Sequence, residues 1–374
     1  MNKVCTYCVM DSTVPNINFD NKGRCNYCLD FEQSITSQNS ILYSDKSEIE
    51  EMVASIKERN KHNDYDCIVG LSGGVDSSWV LYLAKKMGLR PLAVHMDNGW
   101  NSELAQSNIE GLVRTLGVPL HTHVIDWNEY RNLMNAFFDS DVVDVELLYD
   151  NAMLAVNYQT ASNFGVKDIL GGTNISTEGM RMPSGWNWFK YDARNIRSIA
   201  SKHGINKFNS YPLISSSSYF INNYIKGIKW VSFLDYFDYK KDNSLNILER
   251  ECGYRRYPYK HYESIFTRFY QGYILPHKFG IDKRKVHLST LIVSNQLSRN
   301  EALIKLSEIP YPSINDLESD IQYFLKKMRW NQTQLDDYIS RPMKPHDYYS
   351  NEFKVLYKFR KIYKILQRAS RSSW

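Results

Sequence analysis

The chain has 374 residues and a formal net charge of +5, with 43% of its residues hydrophobic and 23% charged. This length favours one full-sized α/β domain with smaller attachments, and the composition is that of a globular rather than a disordered protein. The mild positive charge suits phosphorylated ligands and does not by itself indicate nucleic acid. The N-terminus has no basic start followed by an apolar run, and no stretch reaches the roughly 18 apolar residues of a membrane span, so we expect a cytoplasmic protein.

Four of the six cysteines form two Cys-x-x-Cys pairs near the N-terminus. Each tight turn of this kind supplies two thiolates, and two turns supply the four ligands of a tetrahedral zinc ion. Because four thiolates close the coordination sphere, the pattern predicts a structural, zinc-ribbon-like module over residues 1–33. An iron–sulfur cluster, a redox pair and cysteines without metal stay open as alternatives. The predicted zinc ligands are Cys5, Cys8, Cys25 and Cys28.

A polar segment from Ser34 to Asp45 is typical of a linker, and strands and helices alternate after it. This alternation predicts an α/β domain over residues 45–205, built on a doubly wound parallel sheet that binds ligands beyond the carboxyl ends of its strands. The predicted strands are residues 67–71, 91–96, 120–125 and 168–170, and the predicted helices are residues 78–87, 102–116 and 143–164.

A glycine-rich turn, S-G-G-V-D-S at residues 72–77, joins the first predicted strand to the first predicted helix. Backbone amides and the positive end of a helix converge at such a junction, where a phosphate can bind. Glycines let the main chain approach an oxyanion, serine hydroxyls add donors, and an aspartate can hold magnesium. The Walker P-loop is excluded, because no G-x-x-x-x-G-K-[ST] motif occurs. The candidate ATP-binding residues are Ser72, Gly73, Gly74, Val75, Asp76, Ser77 and Ser78.

Residues 206–374 lose the strand–helix rhythm and are rich in aromatic residues, which predicts a mostly helical region for substrate or partner binding. Ser298 and Glu301 form a capping box ahead of a short helix, and residues 314–328 have the pattern of a longer amphipathic helix. The basic C-terminal tail from Lys358 to Arg371 is interpreted as a solvated helix face rather than a nucleic-acid contact.

The S-G-G-V-D-S turn resembles the signature of the PP-loop ATP pyrophosphatase superfamily, which includes GMP, NAD and asparagine synthetases and several tRNA-modifying enzymes. The resemblance implies an adenine nucleotide alpha-hydrolase-like fold and cleavage of ATP to AMP and pyrophosphate. Asp97, after the second strand, matches a position near adenine or ribose. Gly172, Thr173 and Glu178 resemble a segment of NAD synthetase with a spacing that differs by one residue. Glu178 and Asp76 are thus candidate magnesium ligands, and a loop with a helix-capping Thr or Ser is the alternative.

Over residues 1 to about 305 the chain resembles the N-acetyl sugar amidotransferase family of surface-polysaccharide and nonulosonate biosynthesis. The resemblance is carried by C-T-Y-C-V-M-D at residues 5–11, G-R-C-N-Y-C at 23–28 and the PP-loop turn. It continues with Y-P-Y-K-H-Y-E-S at residues 257–264, Q-G-Y-I-L-P at 271–276 and K-F-G-I-D-K-R at 278–284.

The resemblance implies an ATP-dependent conversion of an acetamido group on a nucleotide-activated sugar into an acetamidino group, as in lipopolysaccharide O-antigen biosynthesis. Magnesium and basic side chains must neutralise the phosphates, and a base must deprotonate the attacking ammonia. The candidate cations are Lys260, Lys283 and Arg284, and the candidate bases are His261 and Glu263. A solvated surface is the alternative for the basic run at 283–285, and the sequence leaves open whether UDP or CMP carries the sugar.

The sequence also bears on the source of ammonia. Residue 2 is Asn, whereas an N-terminal-nucleophile glutaminase needs Cys there, and no remaining stretch offers a separate Cys-His-Glu glutaminase domain. We therefore expect a separate glutaminase subunit, which the family resemblance also implies.

Two other functions stay open at this point. A PP-loop tRNA-modifying enzyme of the thiolase or lysidine type would combine cysteine pairs with the same turn, and thiolation would need Cys67 or Cys252 as sulfur carrier. The modest basic balance argues against tRNA. A zinc-dependent adaptor that binds nucleotide without catalysis is the second alternative.

Overall fold

The computed structural model describes residues 3–37, 45–258, 261–355 and 357. Its centre is a five-stranded sheet with the strand order β3-β2-β1-β4-β5, and every pairing is parallel. The predicted doubly wound parallel sheet is therefore confirmed. The strands are β1 (Cys67–Gly70), β2 (Pro91–Asp97), β3 (Leu120–Val124), β4 (Asp168–Gly171) and β5 (Lys229–Ser232).

Helices surround the sheet and form most of the C-terminal region. Helix α11 continues directly into a π-helical segment, Tyr270–Phe279. The α-helices are α1 (Asn26–Ser37), α2 (Lys46–Arg59), α3 (Val75–Lys86), α4 (Glu103–Leu116), α5 (Trp127–Asp139), α6 (Leu147–Asn163), α7 (Ile175–Glu178), α8 (Ala193–Lys202), α9 (Ser216–Phe220), α10 (Lys241–Cys252), α11 (Ile265–Phe269), α12 (Arg284–Val293), α13 (Arg299–Ser307), α14 (Ile314–Met328) and α15 (Gln332–Ser340).

Each face of the sheet packs against its own hydrophobic core. Cys67 and Val69 of β1 point into the core formed with α2, α3, α4 and α10. Ile68, between them, points into the opposite core with α5, α6 and α8. Alternate residues of a strand face opposite sides, so a strand with both faces covered is a continuous apolar run, as the sequence of β1 is.

Local capping explains why the helices begin and end where they do. The Ser102 side chain accepts a hydrogen bond from the Ala105 amide and starts α4, which ends at Gly117 with φ of +60°. The capping box of Ser298 and Glu301 is present at the start of α13, and α14 spans the residues that the sequence predicted.

Several elements differ from the sequence prediction. Strand β5 pairs Trp230 with Ile169 and comes from the region predicted as mostly helical, while α5 and α8 were not predicted. Helix α1 extends to Ser37, so the beginning of the predicted linker is helical; its residues 38–44 lie outside the described residues. The basic tail from residue 358 also lies outside them. Within the described ranges, no helix is long and apolar enough to cross a membrane.

The N-terminal cysteine module is bound to the C-terminal helices. The Arg299 guanidinium of α13 donates to the carbonyl oxygens of Cys5 and Cys8 at 2.9 and 3.0 Å. The Lys285 ammonium of α12 lies 2.7 Å from the Asp11 carboxylate. Lys285 is thus a structural ion-pair partner rather than part of a solvated surface.

Candidate active site

The glycine-rich turn follows β1 and is closed by its own hydroxyl groups. The Ser72 and Ser77 hydroxyl oxygens are 3.1 Å apart, and the Gly74 amide donates to Ser72 Oγ at 3.2 Å. Gly73 has φ of +84°, and a Cβ there would lie 3.0 Å from the Ala105 carbonyl oxygen. Only glycine tolerates both conditions.

Helix α3 begins directly after the turn and directs its N-terminus at a cavity of about 210 Å³, which we call the phosphate cavity. The first amides of a helix have no intrahelical acceptors, so they and the helix dipole favour an anion there. Ser78 is not in this wall: it is buried in the core, and its hydroxyl has no hydrogen-bond partner within the described residues. The predicted residues that line the cavity are Ser72, Gly74, Val75, Asp76, Ser77, Gly172, Glu178, His261 and Glu263.

Three tyrosines of the C-terminal region hold the turn in place. The hydroxyls of Tyr254 and Tyr257 both donate to the Gly73 carbonyl oxygen at 3.0 Å, and the Tyr239 hydroxyl donates to Asp76 Oδ1 at 2.5 Å. Burial raises the pKa of all three phenols, so they remain protonated donors. Sequence reasoning assigned none of them a role, although the density of tyrosines before residue 262 was the available signal.

The turn after β4 packs against the first turn. A Cβ on Gly172 would lie 3.0 Å from the Ser77 amide nitrogen, so glycine allows the two loops to approach. Asn174 caps α7, because its side chain accepts a hydrogen bond from the Thr177 amide at 2.9 Å. The alternative interpretation of this segment predicted a Thr or Ser as the capping residue. Thr173 is exposed and is not among the residues that line the phosphate cavity, whereas Glu178 lies in its wall with Asp76.

Asp97 is the last residue of β2, and its carboxylate accepts hydrogen bonds from the loop that follows the strand. Its carboxylate accepts from the Gly99 amide at 2.8 Å and from the Asn101 side chain at 3.3 Å. The same Asn101 amide lies 2.9 Å from Nε2 of His95, whose Nδ1 is 2.8 Å from the Leu71 carbonyl oxygen just before the turn. Asp97 does not line the phosphate cavity, so its contact with adenine or ribose stays a prediction.

A second cavity of about 460 Å³ adjoins the phosphate cavity, and we call it the polar cavity. Both cavities are lined by the same four residues, Ser72, Glu178, His261 and Glu263. A molecule in the polar cavity would therefore lie beside the turn that faces the phosphate cavity.

Paired charges fix the wall of the polar cavity. Lys283 Nζ lies 2.8 Å from Glu146 Oε2, and the Gln271 side-chain amide donates to the same carboxylate at 3.0 Å. Lys190 bridges Asp144 and Asp150 at 2.6 and 2.8 Å. Burial alone would lower the pKa of Lys190, but the two carboxylates outweigh it and raise that pKa, so the ammonium stays charged.

His261 stands where the phosphate and polar cavities join. Its backbone has φ of +66°, an unfavourable conformation for a residue with a Cβ, and such strain is concentrated at functional sites. Its Nδ1 lies 3.6 Å from Glu263 Oε1, and that oxygen is 3.4 Å from the Cβ position of Gly74. The structure thus brings the two candidate bases together beside the turn.

The three predicted cations have different surroundings. Lys283 is buried in the wall of the polar cavity, not on a solvated surface. Arg284 is not among the residues that line the phosphate cavity: its guanidinium pairs with Asp282 at 2.8 Å and donates to the Lys305 and Glu308 carbonyl oxygens. Lys260 lies outside the described residues.

The four N-terminal cysteines form a buried cluster whose ligand atoms all lie within 4.8 Å of one another. Adjacent sulfurs are 3.6 to 3.9 Å apart. Four sulfurs at about 2.3 Å from one zinc ion would be about 3.8 Å apart in a tetrahedron, so the spacing fits zinc. Backbone amides of Tyr7, Cys8, Met10 and Cys25 donate to the sulfurs, as expected for thiolate ligands. The cysteines could therefore hold a structural zinc ion.

A parallel sheet with an S-G-G-x-D-S turn after its first strand defines a PP-loop protein. Residues 48–200 match the family described as NAD synthase, and residues 263–363 match the family described as LPS biosynthesis protein WbpG-like, C-terminal domain. Together these matches make the chain a WbpG-like member of the PP-loop superfamily. Enzymes of this superfamily use ATP, so membership implies ATP and magnesium as ligands.

Known proteins give further, partial similarities. The chain is 32% identical over 93 residues to tRNA(Ile)-lysidine synthase of Chlamydia pneumoniae, a match that spans 24% of this chain and 28% of that enzyme. NMN synthetase of Francisella tularensis is 16% identical with a TM-score of 0.30, and the match covers 58% of this chain and 99% of that one. The NH3-dependent NAD synthetase of Campylobacter jejuni is also 16% identical with a TM-score of 0.30, with coverages of 72% and 98%.

Proposed function

We propose that the protein is an ATP-dependent amidotransferase that converts the acetamido group of a nucleotide-activated sugar into an acetamidino group. The acetamido oxygen attacks the α-phosphorus of ATP, and pyrophosphate leaves. Ammonia then attacks the activated carbon, the oxygen leaves with AMP, and one proton is lost. The products are the acetamidino sugar, AMP and pyrophosphate, in a pathway of lipopolysaccharide O-antigen or related surface-polysaccharide biosynthesis.

The observation that carries the proposal is the shared wall between the phosphate and polar cavities. An acceptor in the polar cavity would present its carbonyl oxygen beside Ser72 and the start of α3. The amide, carboxylate and phenol groups of this cavity can donate to and accept from the hydroxyls of a sugar. The WbpG-like match adds support, because residues 263–363 include Gln271 and Lys283 of the wall.

The chain's own residues would assist both steps. An amide carbonyl is a poor electrophile, and adenylation gives it a leaving group. The amides of the turn and the carboxylates of Asp76 and Glu178 would hold the phosphates and their magnesium, which neutralises charge. His261 and Glu263, at the junction of the cavities, would accept the proton of the attacking ammonia. A separate glutaminase subunit would supply that ammonia.

A PP-loop tRNA-modifying enzyme is the second candidate, favoured by the match to tRNA(Ile)-lysidine synthase. The thiolase form of this candidate lacks a suitable sulfur carrier. Burial raises the pKa of the thiols of both Cys67 and Cys252, which disfavours the thiolate, and neither residue is among those lining the two cavities.

A labelling experiment tests the proposal. The full chain is incubated with ATP, magnesium, ammonium and UDP- or CMP-linked acetamido sugars that carry heavy oxygen in the acetamido carbonyl. We expect the label in AMP, and a sugar product whose mass reflects exchange of oxygen for NH. AMP without the label, or label transfer that needs tRNA in place of the sugar, would refute the proposed acceptor.

The ammonia source is tested in the same assay. We expect turnover with ammonium salt, and turnover with glutamine only after a glutaminase is added. Equal use of glutamine by the purified chain would contradict the separate subunit. Failure to form AMP and pyrophosphate with any acceptor would instead favour a nucleotide-binding adaptor.

A further inference from the structure

A third cavity of about 390 Å³, which we call the basic cavity, lies beside the two already described. Its walls come from α10, the segment between α10 and α11, α11 with the π-helical segment that follows it, and the region of α12 and α13. It shares Lys241, Leu245, Tyr257 and His261 with the phosphate cavity. It shares His261, Gln271, Lys283 and His287 with the polar cavity. A ligand in the basic cavity can therefore extend into the polar cavity past His261.

The charge of this cavity is strongly one-sided. Its walls hold six basic side chains and a single carboxylate, Asp242. Four of the six pair with carboxylates: Lys283 with Glu146, Arg256 with Glu249, Arg268 with Asp320, and Arg284 with Asp282. Lys241 and Lys305 make no ion pair within the described ranges, so basic side chains outnumber carboxylates in these walls. Both lysines have carboxylates near them outside the basic cavity: hydrogen bonds from Ser298 and the Lys305 ammonium lower the pKa of the Glu301 carboxyl, and Lys241 also lines the phosphate cavity with Asp76 and Glu178.

The cavity also has an apolar part. Leu288 and Leu291 of α12 line it together with Leu297, Pro258 and Pro310. A planar base or a sugar ring can pack on such a surface, whereas phosphates need the basic side chains. Its volume lies within the range of small-molecule and cofactor sites. The combination of apolar surface and an excess of basic side chains fits a nucleotide better than a free sugar or ammonia.

We propose that the basic cavity binds the nucleoside diphosphate part of the substrate, with the sugar passing His261 into the polar cavity. This inference rests on the proposed function and deepens it, because it selects a diphosphate-linked sugar over a CMP-linked one. The six basic side chains in its walls, against one carboxylate, suit the two phosphates of a pyrophosphate link, whereas a CMP-linked sugar has one. The base packs on the leucines of α12, and the acetamido group reaches the turn at Ser72.

Equilibrium binding tests the site independently of turnover. The full chain is saturated with α,β-methylene ATP and magnesium, so that the ATP site is filled, and titrated with UDP or with CMP. We expect UDP to bind without displacing the ATP analogue and to bind at least about tenfold more tightly than CMP. Displacement of the analogue by UDP, or equal binding of CMP, would overturn the inference.

A charge-reversal pair locates the binding. Lys305→Glu should weaken UDP binding about tenfold or more, because it replaces an attractive charge by a repulsive one. Lys46→Glu makes the same change at an exposed side chain of α2 that lines none of the three cavities, and it should leave UDP binding unaltered. Lys305 is exposed at the rim, so its replacement should not disturb folding, and unchanged binding of the ATP analogue verifies that. Equal UDP affinity in both variants would overturn the assignment.

The outcomes separate this inference from the proposed function. Specific UDP binding that depends on Lys305, without oxygen transfer from any UDP-sugar, would retain the site and refute the amidotransferase. Oxygen transfer from a UDP-sugar that is unaffected by Lys305→Glu would retain the amidotransferase and refute the site.

Discussion

The phosphate and polar cavities share a wall but are encoded differently in the chain. The phosphate cavity has its anion-binding wall in one continuous run, residues 72–77, whose hydroxyls hydrogen-bond within the turn. The polar cavity is assembled from segments near residues 98, 146, 180, 261 and 283. A superfamily can therefore retain one ATP-cleaving turn while the acceptor side changes, because few residues belong to both cavities.

The two cavities should respond differently to mutation, and the largest expected effect is at Asp76. Asp76→Asn removes a charge from the phosphate cavity and should lower pyrophosphate release by about 100- to 1000-fold, the usual cost of losing one electrostatic stabiliser. The measurement is pyrophosphate release at saturating sugar and ammonium.

Tyr239→Phe is the matched control, because it removes the hydrogen bond to Asp76 and leaves the carboxylate. Its loss of activity should be much smaller. If Asp76→Asn released pyrophosphate as fast as Tyr239→Phe, the role of Asp76 in ATP cleavage would be wrong.

The second prediction concerns the polar cavity. Lys283→Met leaves the buried Glu146 carboxylate without its cation and should lower the free energy of unfolding by about 3 kcal/mol. Adding Glu146→Gln should recover most of that loss, because it removes the uncompensated charge. Urea denaturation measures both variants.

Sugar turnover tells whether Lys283 and Glu146 take part in acceptor binding or only stabilise the fold. The double variant should stay impaired in acetamidino formation while its affinity for ATP is unchanged. A double variant with normal sugar turnover would mean that Lys283 and Glu146 only stabilise the fold.

The two cavities also differ in how much of them the sequence alone predicts. The turn was predictable because its chemistry is contained in six neighbouring residues, and strands β1, β2 and β4 because short apolar runs alternate with helical patterns. Edge strand β3, which is mostly exposed, was predictable from the same alternation of strand and helix. Strand β5 was missed because its sequence, K-W-V-S, is not a continuous apolar run like that of β1, and because it follows a short π-helical segment, Ile221–Ile225. The contact of Tyr254 with Gly73 joins residues 181 positions apart, and no local pattern encodes such a contact.

The third prediction concerns zinc and tests whether the cysteine module supports only the acceptor side. Arg181 of the polar cavity lies 3.0 Å from Asp30 and over the Tyr27 ring. Loosening the module by Cys25→Ser or by chelation should therefore raise KM for the sugar several-fold and leave KM for ATP nearly unchanged. Steady-state kinetics with each substrate varied in turn gives both values.

Arg181→Lys provides a control, since it keeps the charge and the folded module. It should raise KM for the sugar less than zinc removal does. A parallel rise in KM for ATP after chelation would show that the module also supports the phosphate cavity.

The fourth prediction is a pH effect on stability through His346, which contacts the backbone of Asp144, a partner of Lys190 in the wall of the polar cavity. The Asp144 amide donates to His346 Nε2 at 3.2 Å, so Nδ1 must carry the proton and donate to Asn195 Oδ1 at 2.7 Å. Burial lowers the pKa of His346 to about 4 from its ordinary 6.5. Between these values the unfolded chain binds a proton that the folded chain does not, so acid favours unfolding.

Stability should therefore be complete above pH 6.5 and fall as the pH drops toward 4. The contribution of His346 is at most about 1.4 kcal/mol per pH unit. His346→Gln should flatten this part of the curve, measured as the urea midpoint at several pH values. An unchanged slope would mean that other groups cause the acid sensitivity.

The smallest effect is expected where the C-terminal region holds the turn. Tyr254→Phe and Tyr257→Phe each remove one hydrogen bond to the Gly73 carbonyl oxygen and should cost about 1 kcal/mol of stability apiece. Because the two hydroxyls share one acceptor, the second loss leaves that buried oxygen without either donor and should cost more than the first. A double-mutant cycle on the unfolding free energy measures this coupling. Strict additivity would mean that another donor replaces the tyrosines, and the turn would then be held independently of the C-terminal region.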